Sequence, residues 1–210
     1  MFEHRCKHGH RYIEHYACFL AEHPEVQEKI GFLDIEASNL DANWGIILSY
    51  CIKVRGGEGI LKNVITKKDI KKYPPDQTDK RVVQELVNDL KKFDRIVTHY
   101  GRRFDLPYIR TRALIMGIPF PHFGSIVNDD TWVIARRKLK LNSNRLDTIE
   151  RALCGEAIKT RFTAKYWIAG SRGDKKALDY ILDHNEKDVI ALERIWLKLK
   201  DFVSKTNCSI

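Results

Sequence analysis

The chain has 210 residues, of which 43% are hydrophobic and 31% are charged, a composition that fits one globular domain with a sizeable core and a short appendage. No apolar run approaches the length of a membrane span, and the charged, histidine-rich N-terminus does not fit a signal peptide, so we expect a cytoplasmic protein. Lysine and arginine number 37 against 28 acidic residues, and the resulting net charge of +9 favours a polyanionic partner such as nucleic acid.

Residues 1–28 form a segment rich in cysteine and histidine. Five potential zinc ligands lie within thirteen positions: Cys6, His8, His10, His15 and Cys18. Thiolate and imidazole are the ligands that zinc prefers, and one ion can fold a segment too short to bury a core. We expect a structural zinc held by four of them, with His8 as the alternative to His10. The other interpretations are a disordered histidine-rich arm, or an amphipathic segment whose Tyr12, Tyr16 and Phe19 pack on the main domain.

The hydrophobic pattern beyond this segment predicts an α/β domain over residues 29–204, followed by a tail at 205–210. Strand patterns occupy residues 31–36, 45–54, 60–65 and 95–99, with a fifth near 125–129. Helical patterns occupy residues 80–93, 104–116, 131–139, 146–154 and 175 to about 204. Three strands joined by short turns, followed by alternating helices and strands, predict a mixed sheet covered by helices.

Four carboxylates and one histidine lie at positions in these elements where they can meet. Asp34 and Glu36 are two apart in the first strand, so both side chains point to the same face of the sheet. His184 and Asp188 are four apart on one face of the last helix, and Asp105 opens a helix, where the helix dipole suits a carboxylate. Divalent cations would relieve the repulsion between such carboxylates while activating water and neutralising a phosphate. The pattern predicts a site for two magnesium or manganese ions, with His184 as general base in phosphodiester cleavage.

The order of these motifs resembles that of a known enzyme family. Asp-x-Glu, then Phe-Asp, then His-x-x-x-Asp is similar to the DnaQ-like, DEDD-type 3′→5′ exonucleases of the ribonuclease H-like superfamily. The segments GFLDIEASNL, RRFDLPYI, SNRLDTIERALCG and HNEKDVIALERIW most resemble its branch of predicted ribonuclease H-like proteins, related to family B polymerase proofreading domains. The resemblance covers residues 29–200. It implies a ribonuclease H-like fold and a metal-dependent 3′→5′ exonuclease acting on single-stranded ends, with DNA slightly favoured over RNA.

The chain departs from the family pattern at two positions. The family's histidine type usually has four residues between histidine and aspartate, whereas three separate His184 from Asp188, as in the tyrosine type. The family also commonly carries an asparagine five residues before the aspartate of the second motif. Here that position is Tyr100, five residues before Asp105, and a different mode of binding the terminal nucleotide is expected.

Basic residues near the second motif and in the run ARRKLKLNSNR are predicted to contact the nucleic acid. The candidates are Arg102, Arg103, Arg110, Arg136, Arg137, Lys138 and Lys159. The alternative for each is a solvated charge on a helix face. Lys159 lies in a loop that the resemblance places near the strand backbone.

Other polar and aromatic residues near the motifs have structural interpretations. Trp132, Trp167 and Trp196 each lie in an apolar pattern, which predicts core positions rather than stacking on bases. Asp129 and Asp130 end the fifth strand, where a helix cap is favoured over an additional metal ligand.

Three other functions are compatible with the same residues. A structure-selective endonuclease could use the same fold, because a fold does not fix the mode of cleavage. A non-catalytic nucleic-acid-binding module could use the Cys/His segment as its main contact, although the complete set of carboxylates argues against this. A subunit of a repair or replication complex could become active only with a partner protein.

Overall fold

Five β-strands form one mixed sheet in the computed structural model, which describes residues 5–12, 16–25, 27–57, 59–122, 124–158 and 163–203. The strands are β1 (Ile30–Ala37), β2 (Ile47–Val54), β3 (Ile60–Val64), β4 (Arg95–Thr98) and β5 (Val127–Asp130). Their order across the sheet is β3-β2-β1-β4-β5. The β1–β2 and β2–β3 pairs are antiparallel, and the β1–β4 and β4–β5 pairs are parallel. The predicted mixed sheet of an α/β domain is confirmed.

Eight α-helices are present in the described part of the chain. They are α1 (Tyr16–Glu22), α2 (Lys67–Lys72), α3 (Lys80–Leu90), α4 (Asp105–Ile115), α5 (Thr131–Lys138), α6 (Leu146–Cys154), α7 (Ala164–Ser171) and α8 (Lys175–Leu199). Single 3₁₀ turns occur at Pro75–Gln77 and Lys200–Phe202. None of the helices in the described ranges combines the length and apolar character needed to cross a membrane.

The predicted helices are present, and three short helices are additional. The helices predicted at 80–93 and from 175 to about 204 end earlier, at Leu90 and Leu199. α1 and α2 have 7 and 6 residues, too few for a sustained apolar repeat, and α7, which is as short as α5, contains Gly170, a residue that weakens a helical pattern. α2 does carry a start signal, because Thr66 and Asp69 cap each other's backbone N–H groups in a capping box.

β1 separates two apolar clusters and thereby determines where its acidic side chains point. Leu33 and Ile35 belong to the cluster that includes residues of α3 and α4, whereas Phe32 belongs to the cluster formed with α6 and α8. Because side chains alternate along a strand, Asp34 and Glu36 lie on the same side of the sheet as Phe32. They therefore face α8.

α8 is fixed against the sheet along its length. The helix begins after Asp174, whose side chain accepts a hydrogen bond from the Ala177 N–H at 2.8 Å. Farther along, Lys62 of β3 pairs with Glu186 at 2.6 Å, and Lys53 of β2 pairs with Glu193 at 2.8 Å. These contacts fix which residues of α8 face the sheet.

A buried ion pair anchors the loop that follows β1. Arg112 of α4 and Asp79 are 2% and 0% exposed, and their Nη2 and Oδ1 atoms are 2.6 Å apart. Arg112 also donates to the carbonyl of Ala42 at 3.1 Å, and Asp79 accepts from the Ile47 N–H at 2.9 Å. Although Arg112 follows the second motif closely in sequence, its guanidinium is structural and is not available to a ligand.

Candidate metal centre

The C-terminal half of β1 presents two carboxylates, each fixed by a neighbouring side chain. Asp34 Oδ2 accepts a hydrogen bond from Asn185 Nδ2 of α8 at 2.6 Å. Glu36 Oε2 accepts from the indole N–H of Trp167 in α7 at 3.0 Å. These contacts leave the carboxylates oriented toward α8 before any ligand binds.

α8 brings His184 and Asp188 to the same place. Both side chains are buried, and they lie one helical turn apart. His184 Nε2 is 3.7 Å from Glu36 Oε1 and 3.8 Å from Asp188 Oδ2. Ligand atoms of Glu36, His184 and Asp188 all lie within 4.8 Å of one another, so residues about 150 positions apart in sequence form one group.

Asp105 begins α4 and reaches the backbone of β1. Its buried Oδ1 accepts a hydrogen bond from the Ile35 N–H at 3.1 Å, between the two carboxylates of the strand. The pKa of Asp105 is raised to about 7, chiefly by burial; the Ile35 hydrogen bond opposes the rise, and the charges of Asp130 and Asp188 add to it. Such a carboxyl is half-protonated near neutral pH unless a cation is near.

The donor set suits a hard divalent cation. Asp34 and Asp105 lie outside the closest group of three and are linked to it through Asn185 and Ile35. Carboxylate oxygens are the donors that magnesium and manganese prefer, and a cation would offset both the burial and the nearby negative charges that raise the pKa of Asp105. Glu36, His184 and Asp188 thus lie close enough to share one ion, and Asp34 and Asp105 add carboxylates of the same chemistry nearby.

A cleft of about 640 Å³ opens beside Asp34 and Asp188. The cleft is also lined by Tyr100, Trp132 and Arg136, and His99 and residues 143–147 complete the lining. The cleft therefore joins the acidic centre to aromatic and basic side chains.

The predicted basic residues of α5 lie on the surface near this cleft. Arg136, Arg137 and Lys138 are all exposed at the C-terminal end of the helix, and Arg136 lines the cleft itself. Lys159 lies outside the described residues.

The basic residues around the second motif have different surroundings. Arg102 is half-buried and donates to Asn128 Oδ1 at 3.0 Å and to the Asn128 carbonyl at 2.8 Å, so its guanidinium supports β5. Arg103 is exposed above the Trp132 ring, and Arg110 is half-buried above the ring of Phe120. Of these arginines, only Arg103 lies against a residue of the cleft wall.

The three tryptophans that were predicted to be core residues do not share one role. Trp196 is buried and donates to Asp129 Oδ2 at 2.9 Å, as a core position predicts. Trp167 is also buried, but its N–H is used by Glu36. For Trp132 the predicted core position is wrong: its half-buried ring lines the cleft, because its helix lies at the cleft margin. Asp130 caps α5, as predicted.

Two residues that orient the carboxylates, Asn185 and Trp167, were not predicted to do so from the sequence. The role of Asn185 could have been predicted from sequence, since Asn185 lies three residues before Asp188 and therefore on the same face of α8. The role of Trp167 could not, because its contact with Glu36 depends on how α7 packs. Asp183 and Glu186, which lie off this face, pair with lysines instead.

The N-terminal segment brings together three soft ligands. Cys6 Sγ is 3.9 Å and Cys18 Sγ is 3.5 Å from His8 Nδ1. Two backbone hydrogen bonds close the turn from Cys6 to His10, and Gly9 within it has a φ of +79°. The sequence favoured His10 over His8 as a zinc ligand. The structure reverses this order, because the turn places His8 rather than His10 beside the two thiols. His15 lies outside the described residues.

The segment also contacts the main domain. Phe19 of α1 packs against Val127 of β5, with Tyr12 and Leu20 around them. Tyr12 donates to Glu22 Oε2 at 2.8 Å. The docking of Phe19 agrees with the amphipathic interpretation, which is compatible with a zinc site in the same segment.

Comparisons with known proteins agree with this fold. Residues 31–200 match the family model RNase_H_2, of the RNase_H superfamily. A DNA polymerase from Methanocaldococcus jannaschii is 28% identical over 128 residues, which are 50% of this chain and 8% of the polymerase. The structure of the family B DNA polymerase from the hyperthermophilic archaeon Pyrobaculum calidifontis matches with a TM-score of 0.61 and 19% identity, covering 82% of this chain and 25% of that one. The likeness to the solved structure concerns the fold, and the chain corresponds to a small part of either polymerase.

Proposed function

Because the chain belongs to the RNase_H superfamily, we propose that it is a metal-dependent nuclease, and specifically a 3′→5′ exonuclease acting on single-stranded nucleic acid ends. The observation that carries the proposal is the meeting of Glu36, His184 and Asp188, with Asp34 and Asp105 held beside them. DNA is slightly favoured over RNA as the substrate. Repair and replication proteins are the expected partners.

The four carboxylates are the proposed holders of two magnesium or manganese ions: Asp34, Glu36, Asp105 and Asp188. When bound, such ions activate water and neutralise the charge on the phosphate. Asn185 and Trp167 hold two of the carboxylates in place through the hydrogen bonds described above. A preset arrangement of this kind reduces the reorganisation needed when the substrate arrives.

His184 is the proposed general base. Its Nε2 atom faces the carboxylates of Glu36 and Asp188, and its ring packs edge-on against Trp167 with a centroid distance of 5.4 Å. This packing fixes the ring so that Nε2 can accept the proton of the attacking water. An imidazole suits the task near neutral pH.

The surroundings of the cleft favour a nucleic acid strand as substrate. Arg136 lines the cleft, and the exposed Arg137 and Lys138 continue the positive charge along α5. The net charge of +9 has the same sign as this surface, whereas the centre itself is acidic. Basic side chains around an acidic centre can bind the phosphates of a strand while cations bind at the scissile one.

End-labelled DNA and RNA strands, incubated in magnesium, manganese or chelator, test the proposal. We expect stepwise shortening from the 3′ end in either metal, and none in chelator or in Asp34→Ala and Asp188→Ala variants that remain folded by circular dichroism. Asp183→Ala is the matched control, because Asp183 is on the same helix but pairs with Lys187 on the surface. Wild-type rates in both active-site variants would refute the metal centre.

A strand with a blocked 3′ end and a 5′ label separates the two modes of cleavage. An exonuclease leaves this strand intact. Internal cleavage would instead identify the structure-selective endonuclease, and strand binding without any cleavage would identify the non-catalytic module.

We also propose a structural zinc ion in the N-terminal segment, bound by Cys6, His8 and Cys18. Ligand atoms around a tetrahedral zinc with bonds of about 2.0–2.3 Å lie roughly 3.5–3.8 Å apart. The observed Sγ–Nδ1 distances of 3.5 and 3.9 Å agree with that spacing. His15, three residues before Cys18 in sequence, stays a candidate for the fourth ligand.

Elemental analysis after extensive dialysis against magnesium tests the zinc site. We expect about one zinc per chain, because soft ligands retain zinc in the presence of magnesium. The ion should be lost in a Cys6→Ser/Cys18→Ser variant and kept in the control Cys154→Ser, whose thiol lies at the end of α6. Unchanged zinc in the double variant, or absence of zinc in protein purified without chelator, would contradict the proposal.

A further inference from the structure

Two aromatic side chains line the cleft that contains Asp34 and Asp188. The rings of Tyr100 and Trp132 meet edge-on, with centroids 5.0 Å apart and an interplanar angle of 74°. Tyr100 is 38% exposed, although it is a large aromatic residue within a cleft wall. An accessible ring held in place by a second ring offers a flat surface to a ligand.

Positive charge surrounds this aromatic pair. The guanidinium carbon of Arg136 lies 5.2 Å from the centroid of the Trp132 ring, and that of Arg103 lies 5.9 Å from it. Both arginines are exposed. An aromatic surface next to two cations suits a flat group attached to an anion, which describes a nucleobase and its phosphate.

One buried carboxylate holds both aromatic residues. Tyr100 has a φ of +66°, a conformation that is strained for a bulky residue. Asp130 Oδ1 accepts from the Tyr100 N–H at 2.9 Å and from the Trp132 N–H at 3.0 Å, and Oδ2 accepts from the Arg102 N–H at 3.1 Å. A strained backbone that the surrounding structure maintains in this way is typical of a ligand-binding position.

The same segment leads directly to the metal centre. The carbonyl of Tyr100 accepts hydrogen bonds from the N–H groups of Arg103 and Phe104, which form the turn before α4. Asp105 is the next residue. The position of the Tyr100 ring is therefore linked through one short turn to a carboxylate of the centre.

We propose that Tyr100, supported edge-on by Trp132, forms a stacking platform for a nucleobase of the strand being cleaved. The proposal rests on the nuclease function proposed above and specifies the substrate as a strand with an unpaired base at the cleft. Stacking requires only a π-face, so the platform accepts all four bases, and a base is free to enter the cleft when it is unpaired. Asp130 is a positioning residue, because it acts through the two aromatic residues.

Binding in chelator tests the platform without any cleavage. The probes are a fluorescein-labelled 12-residue DNA strand and an otherwise identical strand whose 3′-terminal nucleotide lacks its base. We expect the wild-type protein to bind the intact strand about 5- to 150-fold more tightly, the range that stacking of one base provides. Equal affinity for the two strands would refute the platform.

Three variants identify the rings responsible. Tyr100→Asn removes the ring but tolerates the positive φ, so it should fold and lose the preference for the intact strand. Tyr100→Phe should keep the preference, and Trp132→Leu should lose it. Retention of the full preference in Tyr100→Asn would show that Tyr100 does not stack on the base.

The outcome is independent of catalysis. A preference for the intact strand without nuclease activity in magnesium would sink the proposed nuclease function while supporting the platform. Nuclease activity with no such preference would support the proposed nuclease function and refute the platform.

Discussion

Asp105 provides a quantitative test of the metal centre, because its burial makes the metal-free protein sensitive to pH. The pKa of this carboxyl is about 7 in the folded protein, against an ordinary value of 3.8. The folded chain therefore keeps this proton up to about pH 7, whereas the unfolded chain releases it near pH 4. Without metal, the free energy of unfolding should fall as the pH rises between these values.

The size of the effect follows from the two pKa values. The difference between about 7 and 3.8, at about 1.4 kcal/mol per pKa unit, corresponds to a destabilisation on the order of 4 kcal/mol at pH 8. Asp105→Asn removes the charge and keeps an oxygen that can accept the Ile35 N–H. In chelator, this variant should match the wild type near pH 4 and be more stable by that order at pH 8.

Urea unfolding followed by circular dichroism, in chelator between pH 4 and 8, measures this difference. Asp183→Asn should show no comparable gain, because its carboxylate is exposed and paired with Lys187. Magnesium should then stabilise the wild type at pH 8 more than Asp105→Asn, since a ligand of the ion has been removed. A constant offset between Asp105→Asn and the wild type across the pH range would refute the reasoning.

Three further substitutions have expected outcomes. His184→Ala should slow cleavage on the order of 100-fold at neutral pH with little change in magnesium dependence, and an unchanged pH–rate profile would mean that another group is the base. Trp167→Phe removes the N–H that orients Glu36, so turnover should fall in protein that is still folded by circular dichroism; unaltered turnover would contradict this role. Arg112→Met leaves Asp79 buried without its ionic partner and should lower the free energy of unfolding by about 3–5 kcal/mol. A loss below about 1 kcal/mol would refute the structural role of this ion pair.

The positions of the central strands and long helices could be predicted because their apolar repeats are regular. The two-residue spacing of Asp34 and Glu36 predicted that both lie on one face of β1. The four-residue spacing of His184 and Asp188 predicted that both lie on one face of α8. Motif order then indicated the ribonuclease H-like fold, which is confirmed, and the family B DNA polymerase structure shares that fold.

The remaining features depend on contacts that no local pattern encodes. The hydrogen bond from Trp167 to Glu36 requires α7 to pack near β1, and the short α7 contains Gly170, which obscures its helical pattern. Trp132 has an apolar sequence neighbourhood, yet its helix lies at a cleft margin, so periodicity predicted the wrong environment. His8 and His10 could not be ranked by spacing, because the tight turn after Cys6 decides which imidazole meets the thiols.

α8 carries two of the five residues of the proposed centre, His184 and Asp188, on the same face that packs against the sheet. The ion pairs from Lys53 and Lys62 hold this 25-residue helix to β2 and β3, which lie beyond β1 on one side of the sheet. Displacement of α8 from β1 would separate His184 and Asp188 from Glu36 and would expose the helix's apolar face at the same time. Catalytic competence and cooperative folding are therefore coupled, and inactivation should coincide with global unfolding rather than precede it.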